Sequence, residues 1–109
     1  MKATLIDKRS FVVISKRDVA IIVKMDLYQI HGDEAKKHPQ GFRFSWIAFN
    51  PAAPQKKVLF DSHPPKGPHF HIDDDPEGQS FEWLSLTHTE KLFFEKIAHH
   101  FEVSLEDLQ

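Results

Sequence analysis

Hydrophobic and polar residues alternate along the first half of the chain with the period of two that is typical of strands with one buried side. Between residues 19 and 30 one parity carries the apolar residues Ile21, Val23, Met25 and Leu27, and the other carries most of the polar residues. A shorter apolar run occupies residues 11–15, and the polar residues 16–18 between the two runs are typical of a hairpin connection. The pattern predicts an antiparallel pair of strands.

A second alternating region predicts another hairpin. Residues 41–50 place Phe and Trp side chains on one parity, and residues 57–61 resume the extended pattern after a turn that contains Pro51 and Pro54. The polar residues 30–40 before this hairpin predict a loop. An acidic loop at residues 73–78 then precedes a short extended segment at residues 81–85.

The hydrophobic spacing becomes helical near the end of the chain. Thr87 and Glu90 match a capping box, in which a hydroxyl and a carboxylate satisfy free N–H groups at a helix start. An apolar stripe follows, formed by Leu92, Phe93, Phe94, Ile97, Ala98 and Phe101. Residues 104–108 predict one further helical turn. Because strands come first and the helix last, we expect an α+β fold, a curved antiparallel sheet of about five to six strands with one C-terminal amphipathic helix packed on it.

The composition limits the number of domains and the class of partner. A chain of 109 residues, 40% hydrophobic and 28% charged, is expected to form a single folded domain over residues 1–109. A net charge of −2 argues against nucleic-acid binding through bulk charge but leaves room for a local basic face. The chain has no cysteine, which excludes disulfides and thiol chemistry, and shows neither a signal peptide nor a membrane-spanning run. We therefore expect a soluble cytoplasmic protein with no membrane contact.

Residues suited to catalysis or binding are concentrated in the segment 61–73, which contains Asp61, His63, Lys66, Gly67, His69 and His71. In an extended backbone, His69 and His71 place their imidazoles on one face, about 6–7 Å apart at the backbone. Asp61 and His63 share a face by the same rule. A loop stiffened by proline connects the two pairs, so the sequence predicts that they come together in one site.

Three chemistries fit this set of side chains. In acid/base cleavage of a phosphodiester, one imidazole takes a proton from a ribose hydroxyl, the other protonates the leaving oxygen, and Lys66 neutralises the phosphate. A metal site would use His69 and His71 with His63 or Asp61. Simple anion binding would use Lys66 and the amides that flank Gly67. The plain alternative is an exposed rigid loop whose histidines cap strand ends or pack on the core.

Elsewhere in the sequence, structural interpretations are favoured. His99 and His100 end the helix, where imidazoles interact favourably with the helix dipole. The acidic residues 73–77 lack the spacing of a calcium loop and predict a solvated turn. Residues 36–38 and 56–57 are expected to be solvated, with the option of a phosphate-facing rim. His88, at the predicted helix start, is a candidate neighbour of the main cluster.

Asp61-Ser62, followed by Lys66-Gly67-Pro68-His69-Phe70-His71, resembles a motif of the TumE-like family, small bacterial proteins that form the toxin half of toxin–antitoxin pairs. The likeness continues through residues 42–45 and the final helix, and so covers roughly residues 19–101. Asp61, Lys66, Gly67, His69 and His71 match the family pattern. Ser62 stands in place of an expected Asn, Pro68 in place of a common acid and Phe70 in place of a frequent basic residue.

The resemblance implies toxicity through RNA and an antitoxin partner, commonly a helix-turn-helix DNA-binding protein, that covers the site. From the residues themselves we expect a metal-independent ribonuclease without a cofactor. His69 and His71 would be acid and base, Lys66 would stabilise phosphate and Asp61 would orient an imidazole. Gly67, Arg43 and His63 are the expected substrate contacts. Two alternatives remain: a non-catalytic module that binds a protein through an aromatic-rich sheet face, and a metal-dependent hydrolase.

Overall fold

The computed structural model describes residues 2–109 and confirms the predicted α+β class. The strands are β1 (Lys2–Ile14), β2 (Ala20–His31), β3 (Phe42–Asn50), β4 (Ala53–Asp61), β5 (His69–Ile72) and β6 (Gln79–Ser80). They form one open sheet in sequence order, and every neighbouring pair is antiparallel. The helix α1 (Leu86–Phe101) follows the last strand. No helix within residues 2–109 has the length and apolar character needed to cross a membrane.

The helix packs on one face of the sheet and encloses an aromatic core. Phe93 of α1 is fully buried, and its ring centroid lies 5.5 Å from that of Trp46 and 5.1 Å from that of Phe60. Rings in this geometry add to the free energy of burial, and a Phe93→Ala change would cost about 3–5 kcal/mol. The aromatic-rich sheet face that the interaction-module alternative requires is therefore largely enclosed beneath the helix.

The first strand is much longer than the run at residues 11–15 predicts. β1 pairs with β2 along its whole length, with a shift in register between Leu5 and Asp7. The start of β1 is not predicted, because its polar residues do not alternate regularly with apolar ones. One of them, Arg9, bonds to Glu90 of α1 at 2.5 Å and so ties the edge strand to the helix.

The helix begins two residues before the predicted cap. Ser85, not Thr87, is the N-cap, and its Oγ accepts a hydrogen bond of 3.0 Å from the backbone N–H of His88. Glu90 does not complete a capping box, because it is paired with Arg9. The predicted extended segment at residues 81–85 is not a strand, since β6 ends at Ser80. The further helical turn is present as Leu105–Asp107.

The predicted loop before β3 contains two short 3₁₀ helices, Gly32–Lys37 and Pro39–Gly41. This segment lies close against β2, because Gln29 Nε2 donates to the carbonyl of Gly41 at 3.2 Å. Gly41 has a φ of +77°, a left-handed backbone that favours glycine, and a Cβ there would lie 2.6 Å from that same nitrogen. As a result His38 is 7% exposed, and its prediction as a solvated residue is wrong.

Candidate functional site

The strand register places a row of polar side chains across the face of the sheet that points away from α1. Residues directly opposite each other in antiparallel strands share a face. The row consists of Lys8, Asp26, Ser45, Asp61, His69 and Ser80. His71 lies two residues further along β5, on the same face and opposite Leu59. The sheet register therefore puts Asp61 next to the two histidines.

His69 and His71 share this face, as the spacing predicted. Their ring centroids are 5.0 Å apart and their planes are nearly perpendicular, at 84°. The two rings differ in environment, since His69 is 6% exposed and His71 is half-buried. Two imidazoles at this distance can act on neighbouring atoms of one bound group.

Both rings are oriented by backbone carbonyls. Nδ1 of His69 lies 2.6 Å from the carbonyl oxygen of Gly67, and Nδ1 of His71 lies 2.8 Å from that of Asp75. A carbonyl only accepts, so each Nδ1 carries the proton, and in the neutral ring Nε2 is the acceptor. Within residues 2–109 neither Nε2 has a hydrogen-bond partner, and neither is completely enclosed. In both rings Nε2 is therefore the nitrogen that the described residues leave without a partner.

A glycine closes the β5–β6 connection over His71. Gly78 has a φ of +71°, and a Cβ there would lie 2.8 Å from Cε1 of His71 and 2.8 Å from the carbonyl oxygen of Phe70. Both the left-handed backbone and the close approach require glycine. The position of the His71 ring therefore depends on Gly78 as well as on Asp75.

Three further predicted site residues, Asp61, Lys66 and Gly67, stabilise the loop between β4 and β5. Asp61 Oδ1 accepts from the backbone N–H of His63 at 2.9 Å, an Asx turn. Lys66 Nζ donates to the carbonyl of Glu77. The amide of Gly67 donates to the carbonyl of His63 at 3.2 Å, so it is not free to bind an anion.

These contacts correct the roles expected for two residues. The imidazole of His69 is oriented by the carbonyl of Gly67, where the sequence suggested the carboxylate of Asp61. Gly67 thus contributes its oxygen to the site in place of the predicted anion-binding amide. The left-handed φ of +73° at Gly67 belongs to the turn that aims this carbonyl at the ring.

Two departures from the TumE-like pattern occupy structural positions. Ser62 is fully buried, and its Oγ accepts a hydrogen bond of 3.0 Å from the backbone N–H of Phe44. Phe70 faces α1, is 6% exposed and has its ring stacked on that of Phe60 with centroids 5.3 Å apart. Neither side chain lies on the outer face with the histidines.

A second cluster surrounds a cavity of about 260 Å³ lined by Glu34, Lys37, His38, Arg43, His63 and Pro64. It brings together Arg43 and His63, two of the predicted substrate contacts. The Arg43 guanidinium lies over the ring of Tyr28, with its carbon 5.8 Å from the ring centroid. His38 completes the cluster, and sequence patterns gave no signal for it because its placement depends on how the 3₁₀ segment packs on β2.

The environment of His38 favours its neutral form. Burial lowers the pKa of its imidazole, and the positive charge of Arg43 lowers it further, against an opposing effect of Glu34. Its Nδ1 is buried without a hydrogen-bond partner in residues 2–109. Such a nitrogen has lost water without replacement, which is costly for the folded state.

Of the histidines on α1, His100 has a structural contact with the acidic loop. It lies at the end of the helix and bonds Asp73, whereas the side chain of His88 in the first turn is exposed. Asp73 Oδ1 also accepts from the backbone N–H of Lys57 at 3.0 Å. Within residues 2–109, no three His, Asp or Glu side chains converge as a set of metal ligands.

Comparisons of the chain with protein-family models, with curated proteins and with solved structures found no match. The likeness to the TumE-like family therefore continues to depend on the residues quoted for it.

Proposed function

We propose that this protein is a cytoplasmic, metal-independent ribonuclease that serves as the toxin of a toxin–antitoxin pair. The observation that carries the proposal is the His69–His71 pair, with ring centroids 5.0 Å apart and each Nδ1 held by a backbone carbonyl. Fixing Nδ1–H in this way is how proteins commonly keep Nε2 ready for proton transfer. The resemblance at residues 61–71 supplies the toxin context.

The proposed reaction is attack of a ribose 2′-oxygen on the adjacent phosphorus. One imidazole accepts the 2′-hydroxyl proton at Nε2 while the new O–P bond forms. The other, in its protonated form, donates a proton to the 5′-oxygen as the P–O bond to that oxygen breaks. The products are a 2′,3′-cyclic phosphate and a free 5′-hydroxyl, with no net change in protons.

Positive charge near the phosphate would stabilise the transition state. The ammonium of Lys66 has three N–H donors, and the carbonyl of Glu77 uses one of them. The remaining donors are available to a substrate above the β4–β5 loop. Lys66 therefore keeps its proposed role as the phosphate-neutralising residue.

Cleavage of a short oligoribonucleotide by purified protein tests the proposal. We expect a 2′,3′-cyclic phosphate product, a rate that passes through a maximum with pH, and a loss of at least a hundredfold in His69→Asn and in His71→Asn. The matched control is His99→Asn, because His99 is an exposed histidine of α1 outside the cluster. The proposed reaction would be contradicted if His69→Asn and His71→Asn both cleaved RNA at the wild-type rate. It would also be contradicted if the wild type cleaved a 2′-deoxy oligomer as fast as the ribose form.

The alternative of a protein-interaction module is favoured by a different observation. Large exposed hydrophobic side chains are concentrated on the edge strand β1, namely Leu5, Ile6, Val12 and Ile14. An edge strand with apolar side chains is suited to accept a strand from a partner chain. We propose this edge as the place where such a module binds its protein partner, whereas the antitoxin implied by the resemblance would cover the histidine pair.

Co-expression with a candidate antitoxin, a helix-turn-helix DNA-binding protein, separates the two functions. If the partner binds at this edge, Val12→Lys should abolish complex formation while leaving RNA cleavage intact, because Val12 is 58% exposed on the edge strand. Ser10→Lys is the matched control, since Ser10 is an exposed residue of the same strand. A complex that survives Val12→Lys but is lost in the histidine variants would place the partner on the histidine pair.

A further inference from the structure

The cavity beside Arg43 has an excess of positive charge. Glu34 is its acidic lining residue, and the carboxylate of Glu34 already pairs with Lys37 at 3.2 Å. No carboxylate in residues 2–109 lies within ion-pair distance of Arg43. The guanidinium is therefore left with unneutralised charge at a half-buried position.

Arg43 is also held in place. Its guanidinium lies over the ring of Tyr28, and β3 fixes its backbone opposite Tyr28 in the sheet. A guanidinium held over an aromatic ring does not use its in-plane N–H donors to contact the ring, so they stay free for a ligand. This arrangement is typical of arginines that bind phosphate or carboxylate through two parallel hydrogen bonds.

His38 adds a polar side chain to the same cavity. It is 7% exposed, and because its Nδ1 is enclosed, Nε2 is the ring nitrogen whose surface a ligand can reach. His63, which is exposed, lies across the cavity on the loop after β4. A bound anion with several oxygens would give all three side chains a partner at once.

We propose that this cavity binds a phosphate group through Arg43, His38 and His63. Phosphate fits the donors better than other ligands do, because the planar fork of arginine matches its oxygens and two imidazoles can donate to the others. A metal cation is disfavoured by the charge of Arg43. At about 260 Å³, the cavity is below the usual size for a drug-sized ligand and suits a small anion or the end of a chain.

The cavity and the histidine pair are neighbours on the outer face. The backbone N–H of His63 donates to Asp61, and Asp61 is directly opposite His69 in the sheet. A chain with repeated phosphates could occupy both sites together. That the phosphate belongs to RNA depends on the proposed function, whereas phosphate binding itself does not.

Titration with inorganic phosphate, followed by NMR of the histidine rings, tests the site. We expect saturable shifts of the His38 and His63 signals, and weakening of about tenfold to a hundredfold in Arg43→Gln, which removes a charged donor pair. Lys36→Gln is the matched control. It removes an exposed positive charge from the 3₁₀ helix Gly32–Lys37, at a position that does not line the cavity. His63→Gln, at an exposed position, replaces Arg43→Gln if that variant does not fold.

Two oligoribonucleotides, one with a 5′-phosphate and one with a 5′-hydroxyl, then distinguish a terminal phosphate from a backbone phosphodiester. The measurement uses His71→Asn, so that the RNA stays intact and loss of cleavage does not affect the result. Tighter binding of the 5′-phosphorylated strand assigns the cavity to a terminal group, and equal binding that is weakened by Arg43→Gln assigns it to the backbone. Absence of saturable phosphate shifts, or shifts unchanged by Arg43→Gln, would overturn the proposal.

Discussion

Nε2 of His100 lies 2.8 Å from Oδ1 of Asp73, and this contact joins the last turn of α1 to the segment that follows β5. The same carboxylate oxygen accepts from the backbone N–H of Lys57 in β4. Burial alone would raise the pKa of Asp73, but the hydrogen bonds from His100 and Lys57, with the charges of His100 and Lys56, hold the pKa below its ordinary value. Asp73 therefore links helix and sheet in its ionised form.

Acid should weaken this link. Because the pKa of Asp73 is lower in the folded than in the unfolded protein, its contribution is present above the unfolded pKa and is lost as pH falls through the folded one. Asp73→Asn should reduce the free energy of unfolding at pH 7 by about 1 kcal/mol or less. The Asp73 side chain is about a third exposed, so water screens its interaction with His100. Urea unfolding from pH 7 down to about pH 3 measures this.

The control for that series is Asp74→Asn, at an exposed position in the same turn. Its unfolding free energy should follow that of the wild type at every pH. If Asp73→Asn and wild type lose stability with identical pH dependence, the carboxylate of Asp73 does not supply the link.

Ser62→Ala should destabilise the protein although it removes only one oxygen. The hydroxyl of this buried serine accepts from the backbone N–H of Phe44, and alanine would leave that donor without a partner. The expected loss is about 1–3 kcal/mol in the free energy of unfolding. Ser80→Ala, at an exposed serine of β6, should change it little, and equal effects would show that the hydrogen bond contributes nothing.

Gly78→Ala should displace the ring of His71. Alanine at a φ of +71° is strained, and its Cβ would lie 2.8 Å from Cε1 of that ring. Gly32→Ala is a matched control, with a φ of +74° and no heavy atom within 4 Å of the new Cβ. Both variants should lose about 1–2 kcal/mol from the backbone, and Gly78→Ala should lose more and shift the His71 ring signals in NMR. Identical stabilities would disprove the close contact.

Ser85→Ala and Thr87→Ala distinguish the observed helix start from the one that the sequence predicts. Ser85 accepts from the N–H of His88, so its removal should cost about 1 kcal/mol in the free energy of unfolding. Thr87 is exposed inside the first turn, and because Ala has the higher helix propensity, Thr87→Ala should leave the free energy of unfolding unchanged or raise it by about a few tenths of a kcal/mol. A larger loss in Thr87→Ala than in Ser85→Ala would favour the capping box. Thermal unfolding of both variants gives the comparison.

Local patterns were sufficient where one face of an element is buried throughout. The period of two in residues 19–30 and the helical spacing after residue 86 each predicted the correct type of element, because burial imposes the period directly. They failed at β1, whose first residues become extended only by pairing with β2. They also misplaced the cap of α1, because Glu90 is paired with a residue far away in the sequence, Arg9.

For the candidate site, the sequence by itself determined the shared face of His69 and His71, since alternation in a strand requires it. Only the tertiary structure decided which backbone carbonyls orient these rings, because Gly67 and Asp75 reach them through turns that no periodicity describes. It also decided the burial of His38 beside Arg43, which depends on packing a 3₁₀ segment against β2. Periodicity reports which side of an element is buried, whereas contacts between distant segments follow from how the elements pack.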